Sequence, residues 1–286
     1  MPEFNKDSFM RQGYIVLDQG LSKADMQMLE AASADLYRHS DYLLEQLQAS
    51  GESLNDFYQK NLQELIVVPE IDDGLKVCRY EYIKGFNTVI REQLVPKLQT
   101  FIKTLTGDDF VLFKDKCNAK NPGGGAFEPH QDVIAYNHLK PNFHVTVAIF
   151  LDEATLENGC LFFPENYRRD LKGHDYELQT TPNGQLPILP SYDGGSSHGA
   201  IQQEVVDRIK WQPIVAKPGD VVIFDSYVPH YSEKNGSDKS RRAMFYTFNS
   251  LHFGDFYDDY YDMKHREFDN PSFHVATPTA HSKSTV

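Results

Sequence analysis

Cysteine is scarce: Cys78, Cys117 and Cys160 are the only three in 286 residues, odd in number and widely spaced. That spacing excludes a disulfide framework or a cysteine-based zinc knuckle and makes a reducing cytoplasm the expected compartment. Positive charge is also short, with 28 Lys and Arg against 41 Asp and Glu, a net charge of −13. Nucleic acid and anionic membrane surfaces call for a basic stripe, so neither is an expected partner. No run of 18 apolar residues occurs, and no bilayer span is expected. Residues Met1 to Asp7 lack the charged-then-apolar layout of a signal peptide. Internal repeats are missing as well.

The chain does have a core's worth of apolar residues, 40% hydrophobic and 13% aromatic, which fits one globular domain rather than a disordered chain. After the strand-like Tyr14-Ile15-Val16-Leu17, residues 1–105 read mainly as helices. One starts at Ser22 and runs to about Gln48, ending near Gly51. Others lie in 53–65 and 83–105. From about Phe110 the texture changes to short β-type runs bounded by Gly, Pro, Asn or Asp. The expected fold is mainly β with flanking helices: a double-stranded β-helix (jelly roll, cupin-like) core over 106–270, with the helices N-terminal to it. Residues 168–211, rich in Gly, Ser and Pro, are expected to form an irregular lid insertion, and 271–286 a flexible tail.

Two His-x-Asp triplets occur, and about one is expected by chance in such a composition, so context must separate them. His39-Ser40-Asp41 lies in the first long helix, on its solvated side. His130-Gln131-Asp132 follows the loop Pro122 to Gly125 and precedes the apolar Val133 to Tyr136. In an extended chain, positions 130 and 132 face one way and Gln131 the other. About 100 residues later, Val228-Pro229-His230 ends a strand that follows the turn Lys217-Pro218-Gly219-Asp220. Two imidazoles and one carboxylate form the set that holds Fe(II) on one face and leaves the other open. Such a site commonly takes a dicarboxylate co-substrate, whose far end needs a fixed cation. Arg241 and Arg242 open the next strand, and alternation lets only one of them face inward.

These residues resemble the phytanoyl-CoA dioxygenase-like family. The segment Lys116 to Asp132 resembles its metal-motif region and Gly13 to Leu17 its opening strand. Glu157-Asn158-Gly159-Cys160-Leu161 is similar to its Glu-Asn-Gly-Cys-Leu turn. Lys217 to Asp220, Pro229-His230 and Arg241-Arg242-Ala243 match its later strands, and Tyr260-Tyr261-Asp262-Met263-Lys264 a C-terminal Tyr-Tyr-x-x-Lys motif of some members. The resemblance implies an Fe(II)/2-oxoglutarate-dependent dioxygenase that uses O2 and releases succinate and CO2. It implies His130, Asp132 and His230 as iron ligands and Arg241 as the grip on 2-oxoglutarate, with Lys116, Asn118 and Gln131 as further contacts. Because Asp132 is present, hydroxylation of an aliphatic carbon is expected rather than halogenation. Phe163 to Arg169 depart from the Pro-Gly-Ser-His of many members, which implies a different substrate-side wall.

The alternatives are a metal-binding hydrolase, an isomerase or a non-catalytic barrel of the same cupin type; none needs Arg241. The expected partner is a small-molecule substrate, and the oligomeric state is either monomer or homodimer. The run His252 to Tyr261, dense in rings and carboxylates, reads either as a packing cluster with solvated aspartates or as a wall for a cationic substrate. A small metabolite without a CoA handle, amine-bearing by preference, is the expected substrate.

Overall fold

The computed structural model describes residues 4–70, 74, 76–136, 141–171, 175–194, 197–270 and 273. The expected tail lies outside them except for Phe273, which is buried. The strands are β1 (Tyr14–Leu17), β2 (Ile66–Pro69), β3 (Val77–Glu81), β4 (Phe110–Lys120), β5 (Phe127–His130), β6 (His144–Phe150) and β7 (Leu161–Pro164). They continue with β8 (Glu177–Thr181), β9 (Gly184–Ile188), β10 (Trp211–Ile214), β11 (Val221–Asp225), β12 (His230–Ser232) and β13 (Arg241–Ser250). A seven-stranded antiparallel sheet, β1-β11-β6-β13-β4-β3-β2, faces a four-stranded one, β10-β7-β12-β5. This is the expected jelly roll.

Strand alternation sorts the central strands between two cores. Val145, Val147 and Ile149 of β6 pack with Leu29, Leu36, Leu98 and Ile102, from the helices Lys23–Ser50 and Val95–Thr106. Ala148 and Phe150 pack between the sheets instead. A strand covered on both faces reads as a continuous apolar run, as β6 does. The helix expected from Ser22 runs Lys23–Ser50. It starts at a capping box, in which Ser22 Oγ accepts from Asp25 N and Asp25 Oδ2 accepts from Ser22 N. It stops at Gly51, whose φ of 68° is the left-handed cap. No helix among the described residues is long and apolar enough to cross a membrane.

Two expectations are corrected. The N-terminal hundred residues are not only helical after β1, because β2 and β3 extend the large sheet beyond β4. Each is short, and β3 interleaves Arg79 and Glu81 with apolar residues, so pairing with β4 decides them rather than local propensity. The stretch 168–211 is not irregular throughout its described residues. It holds the hairpin β8–β9 and a one-turn helix, Gln203–Val206. β8 is mostly exposed and even its one apolar residue, Leu178, faces solvent, so it shows no clear alternation in sequence.

This insertion is fastened to the centre of the molecule. Gln131 Nε2 donates to Pro187 O at 3.0 Å and Tyr227 O at 2.5 Å, and its Oε1 accepts from Leu189 N at 2.8 Å. Arg168 and Asn183 both donate to the buried carboxylate of Asp225, at 3.1 and 3.4 Å. Gln131→Ala leaves buried backbone groups unpaired, each loss costing about 1–3 kcal/mol. Limited proteolysis of the variant is expected to cut within 175–189 several-fold faster than the parent; equal rates would show that the amide does not anchor the hairpin.

Candidate metal centre and its two cavities

His130 ends β5 directly opposite His230, the first residue of β12, in the antiparallel register. Their ring centroids are 4.3 Å apart. Contrary to the extended chain expected there, the backbone turns at Gln131 into a short 3-10 helix, Asp132–Tyr136. The Asp132 carboxylate still reaches the histidines, with Oδ1 3.8 Å from His130 Nε2. One ligand atom from each of the three side chains lies within 4.8 Å of the other two.

Both imidazoles are oriented by the backbone. His130 Nδ1 bonds Glu128 O at 2.7 Å, and His230 Nδ1 bonds Val228 O at 3.1 Å. A carbonyl can only accept, so Nδ1 carries the proton and the Nε2 lone pair is left for a metal. Burial, aided by the neighbouring His230, holds His130 down to about 3, and burial lowers His230 as well. Burial pushes Asp132 up, but His230, Lys114, His130 and Lys116 outweigh it and bring the carboxyl down to about 2. At neutral pH the site therefore offers two neutral imidazoles and a carboxylate, the donor set that fits ferrous iron.

Two cavities meet at His130 and Asp132, sharing Lys114, Lys116 and Phe127 as well, and His230 lines the first of them. The first is lined by Asn118, Lys120, Ser232 and Arg241. Arg241 is 2% exposed, donates Nη2–H to Gly159 O at 2.5 Å, and leaves its Nε without a partner. A buried guanidinium with no carboxylate beside it fits one end of a dicarboxylate such as 2-oxoglutarate. Arg242 faces away and is taken by Asp152 in a two-pronged pair, with both contacts 2.8 Å. Asn118 Oδ1 is buried in the same cavity without a partner. Lys116 lines both cavities.

The second cavity is lined by Arg79, Glu81, Tyr136, Tyr260, Lys264 and Phe273. Glu81 is clamped from both sides, Oε1 to Arg79 Nε at 2.8 Å and Oε2 to Lys264 Nζ at 2.7 Å.

Other expected positions fall elsewhere. Gln131 lines neither cavity, because it points to the opposite side and its amide holds the hairpin. Residues 163–168 line neither cavity, so the departure there does not reshape this wall. His39 bonds Glu64 at 2.7 Å and stacks on Phe86. Asp255, Asp258 and Asp259 are exposed and offer no carboxylate wall, whereas Tyr257 and Tyr261 are buried on Asp115. Lys114, Lys120, Arg79 and Glu81 were not anticipated. The first two carried a readable signal, since Lys114, Lys116, Asn118 and Lys120 put a polar residue at every second position of β4. Arg79 and Glu81 carried none, being in a strand not recognised as one.

A jelly roll closed around a His-x-Asp…His cluster, with a buried arginine facing it, defines the non-haem iron oxygenase class. The phytanoyl-CoA dioxygenase family model matches residues 9–243, and the chain belongs to that family. It is 33% identical over 264 residues to methylphosphonate hydroxylase of Gimesia maris, covering 92% of this chain and 86% of the relative. It is 31% identical over 244 residues to the 2-aminoethylphosphonate dioxygenase of an uncultured bacterium, covering 84% and 80%. Its fold is shared by EctD from S. alaskensis, solved with 2-oxoglutarate and 5-hydroxyectoine, at a TM-score of 0.61 and 19% identity over 87% of this chain and 76% of that one. The protein is a 2-oxoglutarate-dependent non-haem iron dioxygenase of the hydroxylase type, with Fe(II) as its metal and 2-oxoglutarate and O2 as co-substrates.

Burial pushes Glu81 up, but Lys264 and Arg79 outweigh it and set its carboxyl at about 2. A depressed folded pKa gives stability that is present above the unfolded value, near 4.5, and is lost as pH falls toward 2. The loss is on the order of 3 kcal/mol. In metal-free protein, the urea midpoint of Glu81→Gln is expected to fall less steeply than the parent's between pH 4.5 and 2.5. Parallel curves would place the carboxylate outside the acid transition.

Proposed function

We propose that the protein hydroxylates the carbon next to phosphorus in a small phosphonate, with His130, Asp132 and His230 as the iron ligands and Arg241 gripping the far carboxylate of 2-oxoglutarate. One observation supports the substrate class: Arg79, Lys114, Lys116 and Lys264 all line the second cavity, against Glu81 and the metal-site Asp132. Glu81 is spent on Arg79 and Lys264. Lys114 and Lys116 pair with no carboxylate among the described residues, so two ammonium groups beside the triad await an anion. A phosphonate dianion supplies charge and three acceptor oxygens. Methylphosphonate hydroxylase and 2-aminoethylphosphonate dioxygenase, the relatives above, are named for phosphonates.

Iron, when bound, supplies the oxygen activation: one atom of O2 enters the C–H bond, the other enters succinate, and CO2 leaves. The residues of this chain position and shield. The two backbone carbonyls lock the histidine tautomers. Arg241, Lys120 and Asn118 would hold 2-oxoglutarate on one side of the triad, and Lys114 and Lys116 the phosphonate on the other. Fixed polar partners on both sides set the reacting carbon at the metal and need little reorganisation during the reaction.

His130→Ala, Asp132→Ala and His230→Ala are each expected to lose bound iron and turnover while staying folded, and His39→Ala to lose neither; metal analysis and circular dichroism decide this. Arg241→Ala is expected to weaken 2-oxoglutarate binding by about 10²-fold or more, and Arg242→Ala to change it little. Lys114→Met is expected to raise KM for methylphosphonate by about tenfold without moving that for 2-oxoglutarate. If no phosphonate is hydroxylated by ³¹P NMR while 2-oxoglutarate binds normally, the substrate class is wrong.

A further inference from the structure

Resting on the phosphonate reading, we infer that this enzyme selects phosphonates with an uncharged tail and rejects those with a terminal amine, and that Lys264 is the residue that makes the choice. An ammonium group entering the second cavity needs either a free carboxylate or an open aromatic face. Neither is available among the lining residues. Besides Asp132 of the metal triad, the one carboxylate among the described lining residues is Glu81; its Oε1 lies 2.8 Å from Arg79 Nε and its Oε2 accepts from Lys264 Nζ at 2.7 Å.

The rings are engaged in the same way. Four phenyl or phenol rings line the cavity, Phe127, Tyr136, Tyr260 and Phe273. Each already lies under one of the protein's own ammonium groups. Lys114 sits 4.7 Å from the Tyr136 centroid and Lys120 5.4 Å from that of Phe127. Lys264 sits 5.9 Å from Tyr260 and 5.4 Å from Phe273. Lys264 thus holds both the carboxylate and the rings that a substrate amine would use, and it is only 2% exposed. It comes from the helix Tyr257–Arg266, whose buried Tyr257 and Tyr261 hydroxyls bond Asp115 and hold that helix against β4. An amine brought in against this arrangement meets the Tyr136 hydroxyl, which has no partner, but finds no counter-charge among like charges, while a methyl group of the same size meets the lysine stems and ring edges.

The test compares 2-aminoethylphosphonate with propylphosphonate, which replaces the ammonium by a methyl group, by succinate release and ³¹P NMR under identical iron and 2-oxoglutarate. The parent is expected to favour propylphosphonate by at least 50-fold in kcat/KM. In Lys264→Met, Glu81 Oε2 and two ring faces are freed while Arg79 stays beside Oε1, and the ratio is expected to move toward the amine by at least tenfold. The double variant Glu81→Gln/Lys264→Met, which removes the buried pair together, is expected to show no such gain, because the amine again lacks a carboxylate. Equal use of both compounds by the parent, or preference for the amine, would overturn the inference whether or not the variants fold. A gain in the double variant equal to that in the single one would remove Glu81 from it. Turnover of neither compound would instead count against the phosphonate reading itself.

Discussion

The pairing of β5 with β12 is the constraint on which the rest of the site depends. It sets His130 opposite His230 and brings two imidazoles from distant parts of the chain to a centroid separation of 4.3 Å. A slip of one residue would turn one ring to the other face of the sheet. The register is held from several directions. β12 also pairs with β7, Gln131 holds Tyr227 and the hairpin, and Val133 N donates to Ser226 O. The insertion therefore acts as a clamp on the two short segments that carry His130, Asp132 and His230.

A second constraint is electrostatic. β4 presents Lys114, Lys116, Asn118 and Lys120 to the interior, and β13 adds Arg241. Burial lowers Lys116 to about 8 and Arg241 to about 10. A protein with a net charge of −13 thus keeps a concentrated positive interior. Unpaired cations in such a place oppose folding, and among the described lining residues the only carboxylates that could relieve them are Glu81 and Asp132. Anionic ligands relieve the strain. An anion bound among these cations would therefore stabilise the folded state as well as fill the site.

The division of labour follows from strand alternation. On β13, Ala243 and Phe245 pack between the sheets, Met244, Tyr246 and Phe248 pack toward the helices, and Thr247 and Arg241 reach the first cavity. Arg242, one residue along, faces Asp152 instead. His130 and Asp132 are separated from Gln131 differently, by the turn at Gln131 into the 3-10 helix Asp132–Tyr136.

Much of this was legible in the chain. The jelly roll showed in short apolar runs bounded by turn residues, and the triad in two motifs whose flanks distinguished them from His39-Ser40-Asp41. The capping box at Ser22 and the stop at Gly51 marked the first long helix, because caps are local hydrogen-bonding devices. Alternation restricted the inward arginine to one of two neighbours. Only the tertiary structure decided which one, because that depends on the register of β13 against β4 and β6. It also showed β2 and β3 to be strands, turned the polar stretch 168–211 into a fastened hairpin, and sent the carboxylates of 255–259 outward. Arg79, Glu81 and Lys264 lie up to 185 positions apart in sequence, and their clamp at the second cavity exists only because a helix near the C-terminus packs across β3 and β4. Local chemistry is written in neighbouring residues; which charges are spent on each other is settled by pairs that the chain brings together only when it folds.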